Sequence, residues 1–191
     1  EIMKKNNLVN FLFEAATLRR LKRIGWQILG SENQESVAEH SYMVAVISFV
    51  LAKEVNANLE KTLTMALFHD FSEGRTGDVY KLADLYVTVD EKRANNDAFS
   101  PDSKLNEIIC EYGEKKSLES QIVHDADNLA LILELKQLME NGNLNAKEWF
   151  EANKERLKLK ESKAIFEEIK SSNTQDWWMK EREKIHKSYK K

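Results

Sequence analysis

The chain has 191 residues, of which 42% are hydrophobic, and its formal net charge is −3. This length and apolar content fit one core, so we expect residues 1–191 to form a single compact domain. So small a charge gives no global electrostatic reason to bind DNA, RNA or an anionic membrane, which favours a small-molecule partner.

The composition also bounds the fold class and the location. Six glycines and one proline are few for a protein built on tight hairpins, whereas helix-forming Leu, Ala, Glu and Lys recur throughout, so we expect an all-α protein. The single Cys110 excludes an intramolecular disulfide, and the N-terminus lacks the apolar segment of a signal peptide or membrane span. We therefore expect a cytoplasmic protein without a membrane partner.

The first predicted helix runs from about Met3 to Arg23, because apolar residues recur there at three- and four-residue steps. The following segment, Gly25–Gln34, loses this periodicity and is rich in turn formers, which predicts a loop.

A second helix is predicted from Ser36 to about Glu54. Ser36 and Glu39 have the spacing of a capping box, in which each side chain accepts from the other residue's backbone amide. His40 falls on the apolar stripe of this helix, so its imidazole should point into the core and needs a partner there.

A third helix should begin after Asn58 and end near His69-Asp70, where Gly74 and Gly77 allow the chain to turn. His69, Asp70, Glu73 and Asp78 would then surround one helix end and the loop beyond it. The stretch from about Tyr80 to Asn96 mixes apolar and charged residues without a clear period, and we predict no firm element there.

Ser100-Pro101 predicts the start of a short helix that reaches about Tyr112. A longer helix should run from about Leu118 to Glu140, apolar nearly all round in its second half and hence central to the core. Asp125 and Asp127 both lie on the flanks of its apolar stripe, and the pattern does not choose between them.

Further helices are expected over about residues 145–189. Asn145 and Thr174 are candidate caps, and the basic tail from Lys187 to Lys191 should be frayed.

The histidines and acids form an ordered set that indicates a metal. A lone His40 is ordinarily a hydrogen-bonded core side chain, and His69-Asp70 alone would suit a helix end. Taken together, imidazoles and carboxylates suit a borderline divalent ion, and an ion with unfilled positions can activate water for hydrolysis.

The series His40, His69-Asp70 and Asp127 resembles the H...HD...D signature of HD-domain metal-dependent phosphohydrolases, over about residues 19–135. Within that superfamily, four local motifs resemble the bacterial 5'-deoxynucleotidases. These motifs are Arg23-Ile24-Gly25-Trp26, Glu35-Ser36-Val37-Ala38-Glu39-His40-Ser41, Phe68-His69-Asp70-Phe71-Ser72-Glu73 and Gly77-Asp78.

The resemblance implies one divalent ion, either manganese, cobalt, iron or zinc, held by His40, His69, Asp70 and Asp127. The choice of Asp127 over Asp125 comes from the resemblance alone. The family commonly has a lysine three residues before this ligand. Here His124 occupies that position. His124 and Asp125 are therefore candidates to contact the metal ligands without binding the ion themselves.

The resemblance also implies that Arg23 holds the substrate phosphate, a role that suits the planar fork of a guanidinium, and that Trp26 shapes the same pocket. Glu73 and Asp78 correspond to the catalytic acids, and either one could orient the water or manage the leaving-group proton. The plainer alternatives are a solvated Arg23 and a surface or capping Glu73.

The expected function is therefore a metal-dependent phosphomonoesterase that hydrolyses (deoxy)nucleoside 5'-monophosphates to nucleoside and phosphate. One alternative keeps the metal but takes another phosphorylated substrate, such as a cyclic dinucleotide or a nucleoside triphosphate. The chain lacks the Gly-Tyr-Pro extension of the first group and is short for the second. The other alternative is a nucleotide-binding regulatory helical module with little turnover. The resemblance is also consistent with a homodimer.

Overall fold

The computed structural model of the chain describes residues 5–31, 34–100 and 102–189. Within these ranges the chain is all-α, as predicted, with ten α-helices, two short 3₁₀ helices and no β structure beyond one isolated bridge between Lys22 and Ser36. The α-helices are α1 Lys5–Thr17, α2 Val37–Glu54, α3 Leu59–Phe68, α4 Glu73–Thr76, α5 Glu91–Phe99, α6 Ser103–Glu114, α7 Leu118–Glu140, α8 Ala146–Lys154, α9 Lys160–Ser171 and α10 Asp176–Ser188.

Helix α7 is the centre of the main core, as its all-round apolar pattern predicts. It packs against α2, α3, α6, α8 and α9. Its fully buried residues include Ile122, Leu129, Ile132 and Leu135. Burying each such side chain stabilises the fold by about 1.5–3 kcal/mol, so the three helices α2, α3 and α7 are held together firmly.

A second apolar cluster lies beneath α1. Phe71 packs on Phe11 with ring centroids 4.8 Å apart and on Phe99 at 5.2 Å. This cluster supports the turn that follows α3 and leads into α4.

The local capping predictions for α2 and α3 are confirmed. The Ser36 backbone N–H donates to Glu39 Oε2 at 2.6 Å, and the Glu39 N–H donates to Ser36 Oγ at 3.2 Å. The Asn58 side chain accepts from the Lys61 N–H at 3.1 Å. These hydrogen bonds satisfy amides that have no partner inside the first turn.

The first helix is shorter than predicted. It ends at Thr17, and residues 18–23 instead pair with the segment that enters α2: Val37 N–H donates to Leu21 O at 2.9 Å and Arg23 N–H to Glu35 O at 3.0 Å. The predicted loop after it contains a 3₁₀ helix, Ile24–Leu29, which ends at Gly30 with φ 67°. Asn33, one of the predicted turn formers, lies outside the described residues.

Two boundaries in the middle of the chain also differ. Helix α5 occupies part of the stretch where no element was predicted, and the Asp90 side chain caps it by accepting from Arg93 N–H at 3.0 Å. The predicted Ser100 cap is wrong, because Asp102 accepts from the first amides of α6 and Ser100 ends α5. Pro101 lies outside the described residues.

The C-terminal helices begin near the predicted caps without using them as such. Helix α8 follows Asn145, whose side chain makes no capping hydrogen bond. Thr174 instead donates to Glu140 Oε2, and α10 begins at Asp176 and continues to Ser188, into the tail expected to be frayed. Lys190 and Lys191 lie outside the described residues. Among the described helices, none is both long and apolar enough to cross a bilayer.

Asp125 links α7 to the start of α9. It is fully buried, and its two oxygens accept from the Lys158 N–H at 2.9 Å and the Leu159 N–H at 2.8 Å. Asp125→Ala should lower the free energy of unfolding by about 2–4 kcal/mol, because it leaves two backbone amides without their charged acceptor. Urea unfolding checks this.

Asp125→Asn is the matched control. Its amide oxygen can still accept one hydrogen bond, so this variant should lose less unfolding free energy than Asp125→Ala. A loss below about 0.5 kcal/mol in Asp125→Ala, the ordinary range for a neutral surface change, would contradict the assigned role.

Candidate metal centre

Three packed helices deliver the four predicted metal ligands. His40 lies in the first turn of α2, His69 and Asp70 lie at the end of α3, and Asp127 lies on α7. Since α2, α3 and α7 pack on one another, the four side chains converge although they are far apart in sequence. His40 is fully buried and the His69 side chain is 1% exposed.

The ligand atoms face one another at short range. His40 Nε2 lies 3.1 Å from Asp127 Oδ1 and 3.8 Å from Asp70 Oδ2, and His69 Nε2 lies 3.2 Å from Asp70 Oδ2. Atoms of His40, His69 and Asp70 all lie within 4.8 Å of one another, and Asp127 adjoins this group through His40. One ion of ordinary size can reach such a set with small side-chain movements.

The donor chemistry fits a cation. The Nδ1 atom of His69 lies 2.8 Å from Ala66 O and donates its hydrogen to that carbonyl, so Nε2 is the nitrogen that faces Asp70 and could offer a lone pair to a cation. His40 Nε2 and His69 Nε2 are buried atoms without a hydrogen-bond partner, and both face carboxylates. Buried polar atoms ordinarily have partners, and a divalent ion between these atoms would supply one.

Both acidic ligands stay ionised. Burial alone would raise the pKa of Asp127, but His40 and Arg23 outweigh it and hold the pKa well below its ordinary range. Burial likewise opposes the lowered pKa of Asp70, and His69 is the main group that outweighs it. Ionised carboxylates are the form that binds metal ions.

Glu73, at the start of α4, has different electrostatics. Burial, together with the negative charges of Asp70 and Asp78, raises its pKa to about 9. Its Oε2 atom is buried without a hydrogen-bond partner. Glu73 is therefore a neutral carboxyl at pH 7 in the ion-free protein, and it is neither a solvated surface acid nor a cap.

Asp78, unlike Glu73, has a backbone hydrogen-bond partner. Its Oδ2 accepts from the Ile24 N–H at 2.5 Å, which ties the turn after α4 to the 3₁₀ helix. Burial is the main cause of its raised pKa. One of its oxygens thus has a structural partner at the edge of the site.

Arg23 and Trp26 lie beside the metal ligands. Arg23 Nη1 is 3.6 Å from Asp70 Oδ2, and its side chain is 19% exposed, so the solvated alternative is wrong. Burial opposes the raised pKa of Arg23, but Asp127 and Asp70 outweigh it. Trp26 is buried and its Nε1–H donates to Glu35 Oε1 at 3.2 Å.

The ligands open onto a cleft of about 710 Å³. Arg23, Trp26, His69, Asp70, Glu73, Asp78 and Asp127 all line it. Part of the wall comes from residues 79–89, where no firm element was predicted, and Arg156 and Trp149 also line the cleft. A cleft of this size takes a small organic molecule rather than a polymer.

His124 and Asp125, whose roles the sequence did not decide, make different contacts. Asp125 binds backbone amides at the start of α9, so it supports the fold rather than a metal ligand. His124 stacks on Tyr112 with ring centroids 4.0 Å apart, and the Tyr112 ring meets His69 edge-on at 5.5 Å. His124 therefore contacts Tyr112, and Tyr112 in turn contacts the predicted metal ligand His69.

Some residues in or beside the site were missed by the sequence reasoning. Glu35 stood in a quoted motif without a role, and an acidic residue directly before the Ser36 cap gives no signal of its own. Tyr112 and Arg156 lie at or just beyond helix ends, where no periodic pattern marks them.

The comparisons agree with this geometry. The family model described as HD domain matches residues 15–171. A zebrafish (Danio rerio) protein named 5'-deoxynucleotidase HDDC2 is 27% identical over 144 residues, which cover 71% of this chain and 71% of the relative.

Solved structures share the architecture. A Pyrococcus horikoshii protein, PH0347, has a TM-score of 0.73 and 35% identity over 85% of this chain and 96% of its own. A cyanophage S-2L HD phosphohydrolase, described as bound to dA and one catalytic Zn²⁺ ion, has a TM-score of 0.56 at 17% identity, covering 84% of this chain and 96% of its own, and shows the fold alone. With the family model matched over most of its length and two histidines and two aspartates in the corresponding order, the chain belongs to the HD domain family.

Proposed function

We propose that this chain is a metal-dependent phosphohydrolase that cleaves deoxynucleoside 5'-monophosphates into deoxynucleoside and inorganic phosphate. The observation that carries the proposal is the convergence of His40, His69, Asp70 and Asp127 in a cleft next to Arg23. The deoxynucleotidase names of the curated relatives support the substrate class.

The proposed roles follow from position. A divalent ion held by the four ligands would supply positive charge at the phosphate and activate a water molecule for attack. Arg23 would bind phosphate oxygens, since its guanidinium lies 3.6 Å from Asp70 and lines the same cleft. Trp26 would bound the same pocket.

Glu73 is the better candidate to move a proton. It is neutral at pH 7 in the ion-free protein, and a bound cation would lower its pKa towards neutrality, where a carboxyl both accepts and donates efficiently. We propose that Glu73 exchanges a proton with the attacking water or the leaving 5'-oxygen, and that Asp78 holds the 3₁₀ helix that carries Trp26 in place.

The identity of the ion stays open among manganese, cobalt, iron and zinc, because the same donors accept all four. The single domain over residues 1–191, the cytoplasmic location and the homodimer stay predictions of the sequence. The exposed apolar residues of α1 and α2, such as Phe13 and Tyr42, support the homodimer.

Phosphate release from a panel of nucleoside mono-, di- and triphosphates tests the proposal. Chelator-treated protein should be inactive and should recover on adding one of the four ions, with deoxynucleoside monophosphates as the best substrates. His69→Ala should lower kcat/KM at least about 100-fold, because it removes a ligand.

His186→Ala is the matched control, since His186 is exposed on α10 and should leave the activity unchanged. Release that survives His69→Ala would reject the metal mechanism. Nucleotide binding without release in any metal would favour the regulatory module, and preference for a triphosphate would favour another HD phosphohydrolase activity.

Arg23→Ala should raise KM about 10- to 100-fold, and Arg23→Lys should restore only part of the loss because an ammonium cannot bind two phosphate oxygens as a planar fork does. Steady-state kinetics with a deoxynucleoside monophosphate measures both. Arg20→Ala, on the exposed side of the same segment, should behave as the unchanged protein. An equal KM in all three variants would show that Arg23 does not bind the phosphate.

Glu73→Gln should lose activity yet stabilise the ion-free protein at alkaline pH. The folded pKa of about 9 lies above the ordinary 4.5, so the stability that Glu73 contributes is complete below pH 4.5 and is lost as pH rises towards 9. Glutamine does not ionise, and the variant should therefore gain about 1.4 kcal/mol per pH unit over the unchanged chain, or about 4 kcal/mol between pH 5 and pH 8.

Urea unfolding of the chelated protein at both pH values measures this gain. The same difference between variant and unchanged chain at pH 5 and pH 8 would show that the carboxyl ionises normally.

A further inference from the structure

One oxygen of Glu35 faces three functional side chains. Glu35 Oε1 lies 3.2 Å from Trp26 Nε1, 3.6 Å from Arg23 Nε and 3.7 Å from His40 Nδ1. The first residue bounds the pocket, the second is the proposed phosphate ligand and the third is a proposed metal ligand. The Glu35 side chain is 18% exposed, so water screens these contacts only in part.

The backbone fixes Glu35 in this place. The Arg23 N–H donates to Glu35 O at 3.0 Å, and Lys22 and Ser36 form the isolated bridge beside it. The Lys22 ammonium adds a hydrogen bond to Gln34 O at 2.8 Å. The carboxylate of Glu35 and the guanidinium of Arg23 therefore start from paired backbone positions, whether or not a ligand is bound.

His40 needs an acceptor on one side of its ring. Its Nε2 faces Asp127 and Asp70, so Nδ1 must carry the proton if Nε2 is to offer a lone pair to a cation. Ala66 O meets this need for His69. For His40, Nδ1 is buried without a hydrogen bond, and Glu35 Oε1 at 3.7 Å is the acidic oxygen that faces it.

We infer that Glu35 is a positioning residue that holds His40 with its proton on Nδ1 and, through the same oxygen, aims Arg23 at the phosphate. This inference rests on the proposed metal site. A carboxylate that accepts from a metal-bound imidazole fixes the ring and increases its basicity, and removal of such a group typically weakens metal binding 10- to 100-fold. Loss of Glu35 should also weaken phosphate binding, which a brace for Trp26 alone would not do.

Metal affinity is the first measurement. Titration calorimetry of Mn²⁺ into the chelator-treated full chain should give a Kd about 10- to 100-fold weaker for Glu35→Ala. Glu35→Gln should lie between this variant and the unchanged chain, because its amide oxygen can accept a hydrogen bond without supplying the charge. If Glu35→Ala does not fold, Glu35→Gln decides, with a loss of at least about threefold expected.

The matched control is Glu39→Gln. Glu39 accepts from Ser36 at the same helix start and contributes to the cap of α2. This variant should lower the melting temperature and leave the Mn²⁺ affinity within about twofold, so it separates a loosened helix from a lost acceptor.

The proton position is the second measurement. In the Zn²⁺-loaded chain, ¹⁵N-detected NMR of the histidine side chains should show His40 with a protonated Nδ1 and a metal-bound Nε2. Glu35→Gln should shift the Nδ1–H resonance and speed its exchange with water, while the His69 signals stay in place because Ala66 O still holds that ring.

Inorganic phosphate is the third probe. Its Kd for the Zn²⁺-loaded chain should rise about three- to tenfold in Glu35→Gln, since Arg23 then loses a charged partner on Nε. Mn²⁺ and phosphate affinities equal to those of the unchanged chain, or a metal loss equal to that of Glu39→Gln, would overturn the inference. An unchanged chain that binds no metal would instead overturn the proposed function.

Discussion

The structure depends on one electrostatic requirement: two buried imidazoles and two ionised carboxylates face the same small volume. Such a set is unfavourable unless a positive charge lies among its members. In the ion-free protein Arg23 supplies part of that charge from one side, and it lies 3.6 Å from Asp70. The packed core of α2, α3 and α7 keeps the two carboxylates close despite their mutual repulsion. The fold therefore holds an ion site in place before an ion arrives, which keeps the reorganisation on binding small.

The short contact between residues 18–23 and 35–38 gives the cleft its shape. Three backbone hydrogen bonds and a single bridge replace the helical turns that periodicity predicted. They bring the segment that carries Arg23 and Trp26 against the start of α2, which carries His40. Because main-chain hydrogen bonds fix this register, the backbone at Arg23 and the start of α2 keep a constant separation.

Local signals were sufficient for much of this fold, and contacts between distant residues account for what they missed. The caps at Ser36 and Asn58 are made within four residues, so the sequence predicts them directly. Helix α5 was missed because it has few apolar residues and gains its place from Phe99, which packs on rings of the second cluster. The choice between Asp125 and Asp127 also depends on distant residues. The Leu159 N–H at the start of α9 donates to Asp125, whereas His40 contacts Asp127.

The wall formed by residues 79–89 differs from the rest of the cleft. None of these residues is buried, and Leu85 and Tyr86 are more than 70% exposed. Substitutions on such a surface usually change stability by less than about 0.5 kcal/mol. The buried ligands and this rim are thus separable: point substitutions in the rim can change the shape of the cleft entrance at little cost in folding stability.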